Sequence, residues 1–169
     1  MSAPSASPGS LYIVATPIGN LGDMTIRGTE VLKSVSVVVA EDTRHSRTLM
    51  NHLGVTTPMI AYHEHNEARE SPRLVRRMIE GESIALITDA GTPLLSDPGA
   101  RLVAAALAAD LRVIPIPGAS ALLSALVASG ISAEQFTFLG FLPRKGGERD
   151  AMLRTMRRAP GTTRRYEAP

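Results

Sequence analysis

The segment TDAGTPLLSDPG, residues 88–99, sets two Gly/Pro/Asp turns directly behind an apolar run at residues 83–87. Turns of this kind expose backbone donors and acceptors at a strand's end, where a ligand can use them. Three further apolar runs end the same way: residues 11–15 in TPIGN, residues 35–40 in EDTR and residues 112–116 in PGAS. Gly19, Gly91 and Gly118 permit close backbone approach, while Pro17, Pro93, Pro98 and Pro117 stiffen the loops and lack the N–H that a continuing strand needs. Glu41 follows the first glycine loop by some twenty residues, the place of a ribose-binding acid in dinucleotide folds, yet neither GxGxxG nor a P-loop motif occurs. That combination points to a nucleotide-like ligand without a pyrophosphate.

Loops of this kind converge only if the strands run parallel, because helical crossovers gather every strand-to-helix loop on the edge formed by the strands' carboxyl ends. Helices are expected at residues 25–34, 43–53, 100–109 and 120–129, with another through Leu74, Val75, Met78 and Ile79 that stops at Gly81. A short third strand is expected near residues 59–62. Five strands alternating with helices predict an α/β fold, a five-stranded, mostly parallel sheet with helices on both faces. The Ser/Pro/Ala-rich residues 1–10 read as a disordered tail and residues 11–130 as an N-terminal domain. Residues 131–169 read as the truncated start of a second α/β domain, with a strand in QFTFLGFLP and a basic helix around residues 150–158.

The 169 residues include no cysteine, which excludes disulfides, thiolate chemistry and Cys-ligated zinc. His45, His52, His63 and His65 make no convincing metal set in that setting, and no HExxH occurs. No run approaches the roughly 20 apolar residues of a membrane span, and MSAPSASPGS has neither the basic start nor the apolar stretch of a signal peptide. A soluble cytoplasmic protein is expected. The net charge of +2 hides an asymmetry: residues 1–135 carry ten Lys/Arg against thirteen Asp/Glu, residues 136–169 eight against three. The basic end suits a phosphate-rich partner or, equally, one solvated helix face. Three Phe, three Tyr and no Trp argue against a single-strand platform of stacked aromatics.

Taken in order, LYIVATPIGNLGDMTIRGTEVL, VVVAEDTRHSRTLMNHLG, HEHNE, ALITDAGTPLLSDPGARLV and VIPIPGASALLSALVASG resemble the tetrapyrrole-methylase superfamily. Within it they look most like the bacterial enzymes that methylate a cytidine 2′-hydroxyl of small-subunit ribosomal RNA. The resemblance runs from about Leu11 to Pro169. It implies S-adenosylmethionine as methyl donor, bound between two α/β domains and usually in a homodimer, with ribosomal RNA or the small subunit as partner. The superfamily's Gly-Asp-Pro cofactor loop falls on Gly91, Thr92 and Pro93, with Leu95 at the backbone-contact position beyond it. Its next contact pair falls on Ser120 and Ala121, and its first glycine loop on Pro17, Ile18 and Gly19. Thr92 stands where many relatives have Asp, which moves any carboxylate duty to Asp89 or Asp97.

Ribose methylation needs a proton removed, a sulfonium held in line with the oxygen, and water excluded. On the resemblance, Glu41, Asp42 and Asp23 would orient the hydroxyl or accept its proton, Arg44 and Arg27 would hold phosphate, and Arg144 and Lys145 would reach the RNA from the second domain. Each carboxylate has a plainer use: Asp42 and Asp23 as helix caps, Glu41 as a partner of Arg44, Asp97 as a turn former and cap before Pro98-Gly99. Two alternatives stand beside the leading one, a precorrin-type tetrapyrrole methyltransferase and a non-catalytic RNA-binding remnant of the fold. Relatives continue past the Tyr166-Glu167-Ala168-Pro169 signature with His-Arg and most of a second domain, and they carry apolar residues where Arg164 and Arg165 stand. Unpaired guanidinium groups in a strand interior would cost several kcal/mol. These departures lead to the expectation that the 169 residues bind S-adenosylmethionine weakly or not at all.

Overall fold

Runs of aliphatic and β-branched residues fit a pleated surface, and in the computed structural model, which describes residues 8–158 and 161–167, they form the strands. Ser10–Val14 (β1), Val37–Ala40 (β2), Met59–Ala61 (β3), Ile84–Ile87 (β4) and Arg112–Ile116 (β5) make one five-stranded sheet of order β3-β2-β4-β1-β5. Every pairing in it is parallel, with Leu11 opposite Ile84 and Val113, and Val38 opposite Ala85 and Met59. β2 and β4 are buried at every position, which explains why they read as unbroken apolar runs rather than alternating ones.

Side chains alternate between the two faces, and each face is covered by helices. Val37, Val39, Ile84 and Leu86 pack with Leu74 and Met78 of α3 (Glu67–Ile79) and with Leu102 and Ala106 of α4 (Ala100–Ala108). On the other side Val38, Ala85 and Ile87 pack with Leu32 of α1 (Ile26–Ser34) and Met50 of α2 (Thr43–His52). Burial of one such Leu, Ile or Met is worth about 1.5–3 kcal/mol, so these two layers dominate the stability of this part of the chain.

Several boundaries differ from the expected ones. Ser10 opens β1 and is buried, and the Gly9 N–H donates to the Met78 carbonyl at 2.8 Å, so the expected tail is ordered at its end. Residues 1–7 of that tail lie outside the described residues. Val35 is the C-cap of α1, its N–H donating to the Val31 carbonyl at 3.1 Å, and β2 starts at Val37 instead of residue 35. Thr25 is the N-cap of α1, its hydroxyl accepting from the Gly28 N–H at 3.0 Å.

Contacts divide the chain into two compact units between Ala119 and Ser120, ahead of the Gly130 boundary expected from the sequence. The second unit holds α5 (Ala121–Val127), β6 (Phe136–Phe141), α6 (Gly147–Arg158) and β7 (Thr162–Tyr166). β6 and β7 pair in parallel with a bulge between Phe138 and Phe141, and the Tyr166 ring lies 4.9 Å from that of Phe138 and 5.3 Å from that of Phe141. Arg164 and Arg165 fall in β7 and are partly exposed. Arg165 reaches Glu167 at 3.5 Å, whereas Arg164 Nε and Nη2 and Arg165 Nη1 are out of solvent without a hydrogen-bond partner among the described residues. Among the described residues no helix is long and apolar enough to cross a membrane.

Candidate active site

The loops after β1, β2, β4 and β5 meet because β1 and β4 are neighbours in the sheet and β2 and β5 flank them. Thr16, just past β1, and Gly91, past β4, form a two-hydrogen-bond antiparallel bridge, with N···O distances of 2.9 and 3.1 Å. The Thr16 hydroxyl adds a bond to the Thr88 carbonyl at 3.0 Å. Gly91 has φ +90°, a conformation L side chains rarely adopt, and a Cβ there would stand 3.4 Å from Ile18. Gly118 is required for a different reason: a Cβ there would lie 3.0 Å from the Ala15 Cβ and wedge the β5 loop away from β1. The Thr92 hydroxyl donates to the Ala119 carbonyl at 3.2 Å, tying the β4 loop to the β5 loop. Where the resemblance noted in the sequence places an Asp in many relatives, Thr92 makes a loop-to-loop bond.

Three carboxylates gather on this edge. Glu41 Oε2 accepts from the Thr88 hydroxyl at 3.2 Å, and Asp89 Oδ1 accepts from the Asp42 N–H at 3.3 Å. Burial pushes the Glu41 carboxyl above its ordinary range, and the charges of Asp97 and Asp89 push it further, while Thr88 and His63 pull it partly back. Burial also raises Asp97, against the hydroxyl of Thr88 and together with the charge of Asp89. The Thr88 hydroxyl donates to Glu41, and its nearness also offsets part of the rise at Asp97. A cavity of about 360 Å³ opens on this group, lined by Glu41, Glu64, Glu67 and Asp97. A second, of about 320 Å³, lies against Thr16, Pro17, Gly19, Thr88 and Asp89 on one side and Ser46 and Leu49 of α2 on the other.

The expected site residues divide accordingly. Glu41, Asp89 and Asp97 come together; Pro17 and Gly19 line the second cavity; and Ile18, Gly91 and Thr92 pack loop against loop, Thr92 against Ala119. Asp42 is the N-cap of α2, accepting from the Arg44 N–H at 2.8 Å, and the Arg44 guanidinium turns back to the same carboxylate, which it lowers. The Arg44 pairing open to Glu41 is therefore taken by Asp42. Asp23 lies exposed in a short 3-10 turn (Leu21–Asp23); Asn20 and Thr25 provide the caps on either side, so Asp23 has no capping role. Asp97 is likewise no cap, since Gly99 occupies the N-cap position of α4. Arg27 is exposed on α1. In the second unit Ser120 caps α5, Ala121 begins it, and Arg144 and Lys145 are exposed between β6 and α6. Among the described residues no group of three or more His, Asp and Glu is placed to hold a metal ion.

The loop itself is strained. Leu94 and Ser96 have φ of 73° and 72°, in the left-handed region, with Leu95 between them and 38% exposed. Each such residue costs roughly 1–2 kcal/mol, and strain of this kind persists where the surroundings over-determine it. Sequence reading assigned no role to Thr16, Thr88 or Ser46. Thr88 heads the noted motif and Thr16 opens TPIGN, so both had a signal in position; Ser46, in mid-helix, had none.

An open parallel sheet with helices on both faces makes the first unit a doubly wound α/β fold, and its glycine turns and carboxylates lie on the carboxyl-end edge, where such sheets hold ligands. The chain belongs to the tetrapyrrole (corrin/porphyrin) methylase family, whose model matches residues 10–169. Among curated relatives, the ribosomal RNA small subunit methyltransferase I of Xylella fastidiosa is 52% identical over 163 residues, covering 96% of this chain and 60% of the relative. The protein of the same name from Pseudomonas aeruginosa is 51% identical over 163 residues, 96% of this chain and 58% of the relative. The chain thus spans about 60% of the length of these relatives. Among solved structures, a diphthine synthase superposes with a TM-score of 0.72 at 16% identity, covering 95% of this chain and 64% of the other. A uroporphyrin-III-C-methyltransferase from Thermus thermophilus gives 0.59 at 22%, covering 80% and 60%. At these identities the likeness shows the fold alone.

Proposed function

We propose that this chain carries the proton-handling part of an S-adenosylmethionine-dependent methyltransferase that acts on the 2′-hydroxyl of a cytidine in small-subunit ribosomal RNA, working as a homodimer in the cytoplasm. The observation that carries this reading is the Glu41–Thr88–Asp97 group. A ribose hydroxyl becomes a nucleophile when a positioned base takes its proton, and a carboxylate raised by burial and like charges is a better base than an exposed one. Glu41 is in that condition and opens on a cavity, whereas the Asp42 carboxylate is lowered and occupied by α2 and Arg44. Glu41 is the proton acceptor in this reading, and Asp97 and Asp89 keep it basic.

The residues present suit the methyl donor. Asp89 and Asp97 bring negative charge toward a cationic sulfonium, and the backbone at Gly91 and Gly118 is bare of side chains where a ligand must approach closely. Ile18, Thr92, Pro93 and Leu95 would hold it, as the family resemblance assigns them, while Pro17 and Gly19 of the same β1 loop line the second cavity. Bound there, the donor supplies an electrophilic methyl group; the protein's own part is to orient the hydroxyl, hold its proton on Glu41 and exclude water. The relatives' names support ribosomal RNA as substrate, and the exposed Arg144 and Lys145 suit its phosphates.

The test is incubation of the purified chain, and in parallel of a full-length relative, with methyl-labelled S-adenosylmethionine and small ribosomal subunits lacking the modification. Label on a ribose 2′-oxygen is expected from the longer protein, and loss of it in the Glu41→Gln variant. Label on a base atom, or full activity of that variant, overturns the reading.

A further inference from the structure

The second cavity is walled by Pro17 and Leu49 and carries three buried hydroxyl residues, Thr16, Ser46 and Thr88, with Asp89. Thr16 and Thr88 have partners: the Thr16 hydroxyl donates to the Thr88 carbonyl and the Thr88 hydroxyl to Glu41. Ser46 does not. It is 2% exposed, and its Oγ makes no hydrogen bond among the described residues. A mid-helix serine usually turns back to the carbonyl four residues earlier, and a buried hydroxyl left unpaired costs about 1–3 kcal/mol. An orphan donor in the wall of a cavity marks a place where a ligand supplies the acceptor. Asp89 provides the complement, since one of its oxygens is engaged by the Asp42 N–H and the other is left to accept.

We propose that this cavity holds a single nucleobase by an aminopyrimidine edge, the exocyclic amine donating to Asp89 and the adjacent ring nitrogen accepting from the Ser46 hydroxyl. The inference rests on the reading of the chain as an RNA ribose methyltransferase, and the base is then the target cytosine turned out of its stack. Cytosine offers an amine beside an acceptor nitrogen; uracil offers the reverse, an oxygen that a carboxylate repels beside an N–H. Adenine of the methyl donor has the same edge as cytosine, so the two sources must be separated by experiment.

The measurement is an amide-resolved NMR titration of the 169-residue chain with cytidine 5′-monophosphate, uridine 5′-monophosphate and S-adenosylhomocysteine. Saturating shifts of the Thr16, Gly19, Ser46 and Thr88 amides are expected with the cytidine nucleotide, with binding of the uridine nucleotide weaker by at least about tenfold. Ser46→Ala should weaken the cytidine nucleotide about fivefold while leaving the spectrum otherwise folded. Shifts of these amides by S-adenosylhomocysteine and not by the cytidine nucleotide would assign the cavity to the donor's adenine. Equal response to both pyrimidine nucleotides, or none at these amides, overturns the proposal. Methyl transfer to small subunits is a separate readout: if it occurs without base discrimination in the cavity, the proposed function stands and this inference falls.

Discussion

The Thr88 hydroxyl donates to Glu41 and works against the upward shift of both Glu41 and Asp97, so it acts on the titration of two carboxylates. Replacing it by Val should raise Glu41 and Asp97 further, a change visible as an upward shift in their side-chain carboxyl NMR titrations. The pH dependence of stability has a definite sign. Glu41 and Asp97 bind protons more tightly folded than unfolded, so over the window from the ordinary carboxylate range up to their raised values the folded chain holds more protons, and stability falls as pH rises through it. Glu41→Gln removes part of that slope. Urea midpoints should favour the variant at neutral pH, and the difference should shrink as the solution is acidified below the window; a difference that grows on acidification would contradict the burial and charge assignment. Ser96 offers a second test at this scale. With φ at 72°, Ser96→Gly should stabilise the chain by about 1 kcal/mol in denaturant unfolding. If the strained loop shapes the site, the same variant should lose methyl transfer.

At the scale of elements, β4 is the strand on which the site depends, because it lies between β2 and β1 and so sets Thr88, Asp89 and Gly91 beside both of their loops. Leu86, 1% exposed in β4, should cost about 2–5 kcal/mol when cut to Ala, read from denaturant unfolding. Gly99→Ala should also destabilise, since its φ is +134° and a Cβ would sit 2.6 Å from Leu86 Cδ2. The elements themselves were legible because their causes are local. The valines at residues 37–39 and the residues after Ser83 could not be anything but buried strand, and Gly54 and Gly81 closed helices where a left-handed residue was needed. Val35 was misread because β-branched residues favour strands, while a helix cap, fixed by one bond to Val31, has no compositional trace. The meeting of Glu41 with Asp89 and Asp97 was legible only as a shared edge. Their contact depends on β2 lying beside β4, an order that no spacing along the chain encodes.

For the whole molecule, both layers of apolar core are built from residues between Leu11 and Ile116. Residues 1–119 expressed alone should therefore unfold in one cooperative transition by circular dichroism, and a broad, non-cooperative melt would show that the core needs more of the chain. The strand β6 and helix α6 were legible as a restart of the pattern after Gly130, but the change of contacts at Ser120 was not, because α5 continues the alternation of the first unit without a break in composition. The strand order has a kinetic meaning as well. β1 is made before the other strands of this sheet, yet among the described residues its partners are β4 and β5, with Leu11 waiting for Ile84 and Val113. On an emerging chain β2 and β3 can pair early, while β1 remains an unpaired apolar segment until most of this unit has been synthesised. Non-local parallel pairing of this kind folds slowly and leaves edges open to association. Because Thr16 leaves the end of β1 to bridge Gly91, the edge that carries the proposed site is among the last parts of this unit to take shape, and a nascent chain should complete that edge and gain its cooperative stability in the same late step.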